Sequence, residues 1–331
     1  MPTRILVTGG AGFIGSHYVR TVLAADSEAA VTVLDRLTYA ANPANLASVR
    51  DHPGFRFIEA DICDPHAVDR AVAEADEIVH FAAETHVDRS IAGGAEFVRT
   101  NVLGTQVLLE AAVRHGVERF VHVSTDEVYG SIAQGSWSES FPLRPSSPYS
   151  ASKASSDLLA LSYHTTHGLD VSITRCCNNY GPCQFPEKII PLFTTRLLNG
   201  ESVPLYGTGE NTREWIHVDD HVAALERVRL SGRPGRAYNI GSGVELTNRE
   251  LVGLLLEQCG RGWDAVEEVT DRLGHDLRYS VETTRIRKEL GWEPVRDFRT
   301  ALAETVDWYR VHEDWWPWEP APTPLSRTPA A

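Results

Sequence analysis

Apolar runs of four to six residues recur through the first half of the chain, most of them followed by a stretch whose apolar positions repeat with helical spacing. The runs are Arg4 to Thr8, Val31 to Leu34, Phe55 to Glu59, Glu77 to Ala82 and Phe120 to Val123. Helical stretches reach to about Ala25, lie near Pro65 to Ala75 and from Ala95 to His115, and begin again after Pro148. Short β-branched and apolar runs between polar segments read as strands buried on both faces. Their regular alternation with helices predicts an α/β fold, a Rossmann-type doubly wound parallel sheet with right-handed crossovers. From about Cys176 the alternation breaks down into loops rich in amide and charged groups, which predicts a smaller C-terminal substrate-binding domain. No internal repeat is present.

Length and charge narrow the class. The 331 residues, 42% of them apolar, allow two or three compact domains. A net charge of −14 repels nucleic acid and anionic lipid, so any anionic partner is expected to be small and held in a local basic pocket. No charged leader precedes the first strand, and no run approaches the ~18 apolar residues of a membrane span. A soluble cytoplasmic protein is expected, with neither nucleic acid nor membrane as partner. Five cysteines without a CxxC pair suit reduced thiols, and no metal site is expected. Only three of the 31 basic residues are lysines, Lys153, Lys188 and Lys288, so a lysine marks a position suited to a compact ammonium.

Three patterns carry chemistry. First, Gly9-Gly10-Ala11-Gly12-Phe13-Ile14-Gly15 joins the first strand to the first helix. It fits both G-x-G-x-x-G and G-x-x-G-x-x-G, in which glycines let a pyrophosphate approach the free N–H groups of a helix N-terminus. Asp35, ending the second strand twenty residues after Gly15, would accept hydrogen bonds from ribose hydroxyls and repel a 2′-phosphate, which argues for NAD over NADP. Arg36 beside it weakens that discrimination, and a capping role for Asp35 is the alternative. Second, Ser124-Thr125-Asp126-Glu127-Val128-Tyr129-Gly130 follows the fifth strand without a spacer. Ligands of open α/β sheets bind beyond the carboxyl ends of strands, which puts Asp126 and Glu127 where chemistry belongs. The same residue types also favour a helix start. Third, Tyr149 and Lys153 share a helical face at four-residue spacing. An ammonium there draws a phenol toward the range of a general base, whereas a solvated helical face explains the pair without chemistry. Beyond these, His86 in the loop after the fourth strand reads either as a ligand or base or as a structural loop histidine. The apolar residues Leu158, Leu159, Leu161 and Tyr163 suit either core packing or pairing with the Ala95–His115 helix of a second subunit. Arg213, Arg272 and Arg278 form a late basic group suited to a diphosphate.

Taken together these residues resemble the extended short-chain dehydrogenase/reductases, and within them the dTDP-glucose 4,6-dehydratases, from Arg4 to about Tyr309. The glycine turn and Tyr149/Lys153 are common to the superfamily. Thr125-Asp126-Glu127 and the segment from Asn178-Asn179-Tyr180-Gly181-Pro182 to Gln184-Phe185-Pro186-Glu187-Lys188 are far more specific. The resemblance implies an NAD domain over 1–176 and a mainly nucleotide-sugar-binding domain over 177–320, some of whose chain returns to the first. A Pro/Ala-rich tail follows over 321–331. It implies NAD contacts from Gly9, Gly12, Phe13, Ile14, Gly15, Asp35, Arg36, Leu37, Thr38, Asp61, Ile62, Phe81, Ala82, Ala83, Thr100, Tyr149, Lys153 and Asn179. Substrate contacts are implied for Thr85, Thr125, Asn178, Glu187, Lys188, Ile189, Pro204, Leu205, Tyr206, Arg213, Asn248, Asp271, Arg272, His275 and Tyr279.

The implied catalytic set is Thr125, Asp126, Glu127, Tyr149 and Lys153, acting on dTDP-glucose in a homodimer built through a helix bundle. Adjacent carboxylates suit an acid and a base side by side, because like charges push one pKa up. A UDP-sugar 4,6-dehydratase, a nucleotide-sugar 4-epimerase and a non-catalytic dinucleotide sensor are the other readings. Cys177, Leu273 and Ile189 stand where the family often has Ser, Pro and Leu, which leaves nucleotide affinity and base preference open.

Overall fold

In a computed structural model of the chain, residues 3–271 and 274–315 are described. The first half alternates as the pattern requires: β1 (Arg4–Thr8), α1 (Phe13–Ala25), β2 (Ala30–Asp35), β3 (Phe55–Glu59), α2 (Pro65–Val72) and β4 (Glu77–His80). After α3 (Val87–Ala92) and α4 (Ala95–Phe97) come α5 (Thr105–His115), β5 (Arg119–Thr125), α6 (Pro148–His167) and β6 (Val171–Cys176). Then follow β7 (Asn178–Tyr180), α7 (Ile189–Leu198), β8 (Val203–Tyr206), β9 (Thr212–His217), α8 (Val218–Ser231) and β10 (Arg236–Ile240). The described chain closes with β11 (Glu245–Thr247), α9 (Asn248–Cys259), β12 (Val266–Val269), α10 (Thr284–Leu290) and α11 (Phe298–Val311).

Seven strands form one sheet in the order β3-β2-β1-β4-β5-β6-β10, every neighbouring pair parallel. The chain runs outward from β1 in one direction and then, from β4, in the other. That reversal opens a crevice beyond the carboxyl ends of β1 and β4, the expected ligand site of such sheets. The central strands β1, β2 and β4 are largely apolar because both faces are covered. Tyr18 of α1 and Val222 and Leu225 of α8 pack with Val7, Val33 and Val121 on one side. Val68 of α2, Leu108 and Leu109 of α5 and Ala160 of α6 pack with Leu6, Ile78 and Phe120 on the other.

A three-stranded sheet β11-β9-β7 and a parallel pair β12-β8 lie outside the main sheet. Phe193 of α7, Leu251 and Leu255 of α9 and Leu302 and Val306 of α11 build a separate core there with Trp215.

Three elements differ from the pattern. The stretch from Ala95 to His115 is not one regular helix, because Val98–Gly104 takes π-helical turns. Within these turns the consecutive residues Thr100 and Asn101 are both buried, 5% and 1% exposed. Gly104 sits against Ile62, where a Cβ would come within 2.5 Å of the isoleucine Cδ1. β5 runs two residues past Val123, carrying Thr125 to the sheet edge. β6 and β10 both join the main sheet, although neither stands out as an apolar run beside its neighbours in sequence.

Candidate active site

At the crevice the first βα turn is built tightly. Gly9 has φ of +71°, and a Cβ on it would lie 2.6 Å from the Ala82 backbone nitrogen. A Cβ on Gly15 would lie 2.3 Å from the Gly9 carbonyl oxygen. Gly12, the N-cap of α1, has no side-chain capping bond, and a Cβ there would meet only Gly9 O, at 3.3 Å. Gly9 and Gly15 thus close the turn, while Gly12 keeps the helix N-terminus open to an anion. Asp35 is buried at the end of β2; its Oδ2 accepts from Ala11 N at 3.0 Å and its Oδ1 from Leu37 N at 2.8 Å. Burial pushes its carboxyl up, and these two donors oppose the shift. Leu37 is held at a left-handed φ of 52°, uncommon for a residue with a Cβ. Arg36 turns to Asp61 and Glu84, at 3.1 Å each. The buried Oγ1 of Thr100 has no hydrogen-bond partner among the described residues. An open helix N-terminus, a ribose-side carboxylate and an unpartnered buried hydroxyl together fit a bound dinucleotide.

The catalytic candidates converge at the end of β5. Thr125 caps the 3₁₀ turn Asp126–Tyr129, its Oγ1 accepting from Glu127 N at 3.3 Å and donating to Asp126 Oδ1 at 3.3 Å. The helix-start and catalytic readings of this stretch therefore coincide. Asp126 is 2% exposed, and its Oδ2 has no hydrogen-bond partner among the described residues. Burial, with Glu127 and Glu214 adding negative charge, pushes its carboxyl well above the usual range. Glu127 is only half-buried. Asp126 is thus the buried member of the adjacent pair and Glu127 the more exposed one.

Helix α6 delivers Tyr149 and Lys153. Pro148 at its first position and a reciprocal Ser147/Ser150 capping box fix where it begins. The Tyr149 phenol bonds the Thr125 side chain. One electrostatic expectation is corrected here. The Lys153 Nζ donates to the Val123 carbonyl at 2.8 Å, and burial followed by the charge of Glu127 holds the phenol above its ordinary range. Burial also brings the Lys153 ammonium down to about 8, against the pull of Asp157.

The facing wall comes from the later chain. Arg213 of β9 is buried, bonds the Asp276 carbonyl at 2.9 Å and stacks over Tyr279 at 4.5 Å. Tyr279 lies within the field of Glu127, and its hydroxyl donates to Asp276. Asp126 feels the Arg213 charge, so this wall reaches the catalytic turn. Lys188, N-cap of α7, donates to the Thr85 carbonyl at 2.9 Å. The buried Glu187 accepts from Tyr39 at 3.1 Å and lies 3.4 Å from Arg89. His275 bonds Asp271 at 2.6 Å, with Tyr206 edge-on to its ring. Asn178 pairs in register with Trp215, and Asn248 N donates to Asn211 O at 2.9 Å.

Not every candidate is placed as expected. Arg278 is held in a two-pronged pair with Glu245, at 2.6 and 2.7 Å, rather than offered to a diphosphate. The Leu205 side chain is buried in the C-terminal core, so a ligand contact there would fall to its backbone. The Asn179 amide donates to Cys177 O at 3.0 Å and bonds His221 at 2.8 Å, a framework role. His86 caps α3 as a structural histidine. Arg272 and Leu273 lie outside the described residues, as does the tail 321–331.

Two residues were missed. Glu214 is a buried carboxylate pushed up to about 7 by burial, against N–H donors from Gly243 and Val281. Asn101 bonds both backbone groups of Glu84 and the Ser152 hydroxyl, tying the loop after β4 to α6. The signal for Glu214 was its place beside Arg213. Asn101 carried none, because its partners Glu84 and Ser152 are distant in sequence.

Comparison with known proteins agrees with this geometry. A family model described as GDP-mannose 4,6 dehydratase matches residues 6–305. A dTDP-glucose 4,6-dehydratase of Streptomyces griseus is 62% identical over 318 residues, covering 96% of this chain and 97% of the relative. The chain belongs to the nucleotide-sugar 4,6-dehydratase family. Among solved dehydratases, DesIV of Streptomyces venezuelae, a dTDP-glucose 4,6-dehydratase with NAD bound, superposes with a TM-score of 0.94 at 59% identity, covering 95% of this chain and 99% of that one. A UDP-glucose 4-epimerase of Thermotoga maritima has the same architecture, with a TM-score of 0.87 at 32% identity over 93% of this chain and 99% of that one. Membership in the dehydratases therefore rests on far higher identity than likeness to the epimerases does.

Proposed function

We propose that this protein dehydrates dTDP-glucose to dTDP-4-keto-6-deoxyglucose for deoxysugar biosynthesis, with NAD as its cofactor. The observation that carries the reading is the turn after β5, where Asp126, buried and with its carboxyl pushed well above the usual range by that burial, stands next to half-buried Glu127 and faces Tyr149 of α6. The C5 proton of a hexose is not acidic until C4 becomes a ketone, so oxidation has to come first. The glycine turn, Asp35 and Thr100 would hold NAD, which would supply the hydride acceptor for C4 and the hydride donor for C6. Tyr149 Oη takes the C4 hydroxyl proton, and Thr125 Oγ1 hydrogen-bonds the same oxygen. For Tyr149 to accept that proton its phenol must first ionise, and the Lys153 ammonium one helical turn behind would oppose the upward push of burial and Glu127. Glu127 then removes the C5 proton, and Asp126 protonates the departing C6 hydroxyl. The division of labour in this reading is residues 1–176 mainly for NAD and 177–320 mainly for the nucleotide sugar. Arg213, Lys188, Asn178 and the Asp271–His275 loop serve the nucleotide sugar.

A homodimer is part of the same proposal. Val98 is 58% and Leu103 46% exposed on the segment leading into α5, and Leu158 is 59% exposed on the adjacent α6. Two copies of this helix pair would cover those side chains in a bundle. Free cysteines, and the absence among described residues of any helix long and apolar enough to cross a membrane, support a cytoplasmic place. The deciding experiment incubates the purified protein with dTDP-glucose or UDP-glucose and identifies products. A 4-keto-6-deoxy sugar from dTDP-glucose is expected. A C4 epimer that keeps its C6 hydroxyl, or preferential turnover of UDP-glucose, would replace this reading with one of its relatives.

A further inference from the structure

Tyr149, Lys153 and Asp157 stand at i, i+4 and i+8 of α6, one behind another on the buried face. The mechanism above uses the first two. Asp157 has no exposed surface. Its Oδ2 receives Arg175 Nε of β6 at 2.8 Å, and its Oδ1 lies 3.4 Å from His122 Nε2 of β5. A carboxylate so buried is costly unless paired, and Arg175 supplies the pairing. The pair alone does not explain why its negative end stands one turn behind Lys153.

The surroundings of Lys153 do. Around it are His80 on β4, His122 on β5, Arg175 on β6, and Tyr149 and Asp157 on its own helix. Burial holds both histidines below their usual range, so they are neutral near neutrality. The Tyr149 phenol is neutral as well, and Arg175 is a cation. Asp157 is the anion of the group. Arg175 bonds it and donates from Nη1 to Tyr129 Oη at 2.7 Å, which fixes the guanidinium on both sides. A carboxylate locked in this way keeps its charge rather than taking a proton from the neighbouring ammonium.

We propose that Asp157 is a positioning residue of the redox step, a fixed negative charge that keeps Lys153 an ammonium inside the buried helix face, with Arg175 as the lock that keeps Asp157 ionised. This rests on the reading that the Lys153 ammonium supports Tyr149 during C4 oxidation. The test follows single-turnover formation of reduced nicotinamide from dTDP-glucose across pH in wild type and variants. Asp157→Asn should move the alkaline limb to lower pH by on the order of one unit, and Asp157→Glu should restore most of it. Asp157→Asn leaves Arg175 unpaired and risks misfolding, so the double variant Asp157→Leu/Arg175→Met, which removes the ion pair as a unit, is measured beside it. The double variant should keep the acid-shifted limb. A wild-type limb in the folded double variant would show that Asp157 serves Arg175 alone and overturn the proposal. Lys153→Met separates the two readings: if it oxidises substrate at the wild-type rate, the role of Lys153 is what fails.

Discussion

Lys153 donates its ammonium proton to the Val123 carbonyl at 2.8 Å, so the one cation on the catalytic face of α6 is tied to the end of β5, two residues before Thr125. The strand that carries the acid–base turn and the helix that carries Tyr149 are thereby held in register. Lys153→Met keeps the length of the side chain but loses charge and donor. It should slow C4 oxidation by roughly the 10²–10⁴-fold typical of a lost acid–base element. Rapid-mixing absorbance of reduced nicotinamide measures this, and near-wild-type formation would contradict the assignment.

The glycine turn makes a prediction that separates folding from binding. Gly15→Ala drives a methyl group into the Gly9 carbonyl, whereas Gly12→Ala meets one atom at 3.3 Å. Gly15→Ala should therefore lower the melting temperature markedly with or without NAD. Gly12→Ala should melt nearly as wild type in the absence of nucleotide, yet bind NAD at least about tenfold more weakly, because its methyl group stands where an anion approaches the helix. Thermal melts with and without added NAD decide it; equal NAD affinity in Gly12→Ala and wild type would move the cofactor elsewhere.

Much of this arrangement was legible because the strands of a doubly wound sheet are parallel and end at one edge, so glycine turn, Asp35 and Thr125-Asp126-Glu127 all had to reach it. The electrostatics were not legible. A four-residue spacing shows that Lys153 and Tyr149 share a face, but not that the ammonium bonds a strand carbonyl, nor that burial outweighs it at the phenol. Arg278 likewise reads as a free cation in sequence, and only the β11–β9 ladder shows why Glu245 captures it. Thr100 and Asn101 stand in π-helical turns that a helical spacing in sequence does not distinguish from regular ones.

Glu214 gives a pH prediction for stability. Its carboxyl is raised from the unfolded value near 4.5 to about 7, so the folded state holds a proton that the unfolded state has lost in that window. The sign follows: the contribution of this group to stability is complete below about pH 4.5 and falls as pH rises through 7. Glu214→Gln, which retains an acceptor for the Gly243 N–H, should flatten the decline in denaturant-measured stability between about pH 5 and 7, by a few kcal/mol at most. An unchanged slope would show that the proton is not held there. The same substitution removes negative charge near Asp126, so the elimination step should lose its alkaline tolerance at lower pH than in wild type.

The final prediction concerns the two carboxylates themselves. If Glu127 is the C5 base and buried Asp126 the C6 acid, oxidation at C4 survives changes that stop elimination. Glu127→Gln keeps size and polarity but cannot accept the proton; it should slow turnover by roughly 10²–10⁴-fold, let the 4-keto sugar and reduced nicotinamide accumulate, and suppress exchange of the C5 hydrogen with deuterated solvent. Asp126→Asn fills the same buried space and removes only the donated proton. Elimination should stall, but C5 exchange should remain measurable, because Glu127 still withdraws the proton from a ketone whose leaving group has no acid. Mass spectrometry of recovered substrate, taken alongside the nicotinamide absorbance, distinguishes the two variants in one quenched time course. Wild-type C5 exchange in both, or failure of both at the first hydride transfer, would mean that the pair positions the substrate rather than moves its protons.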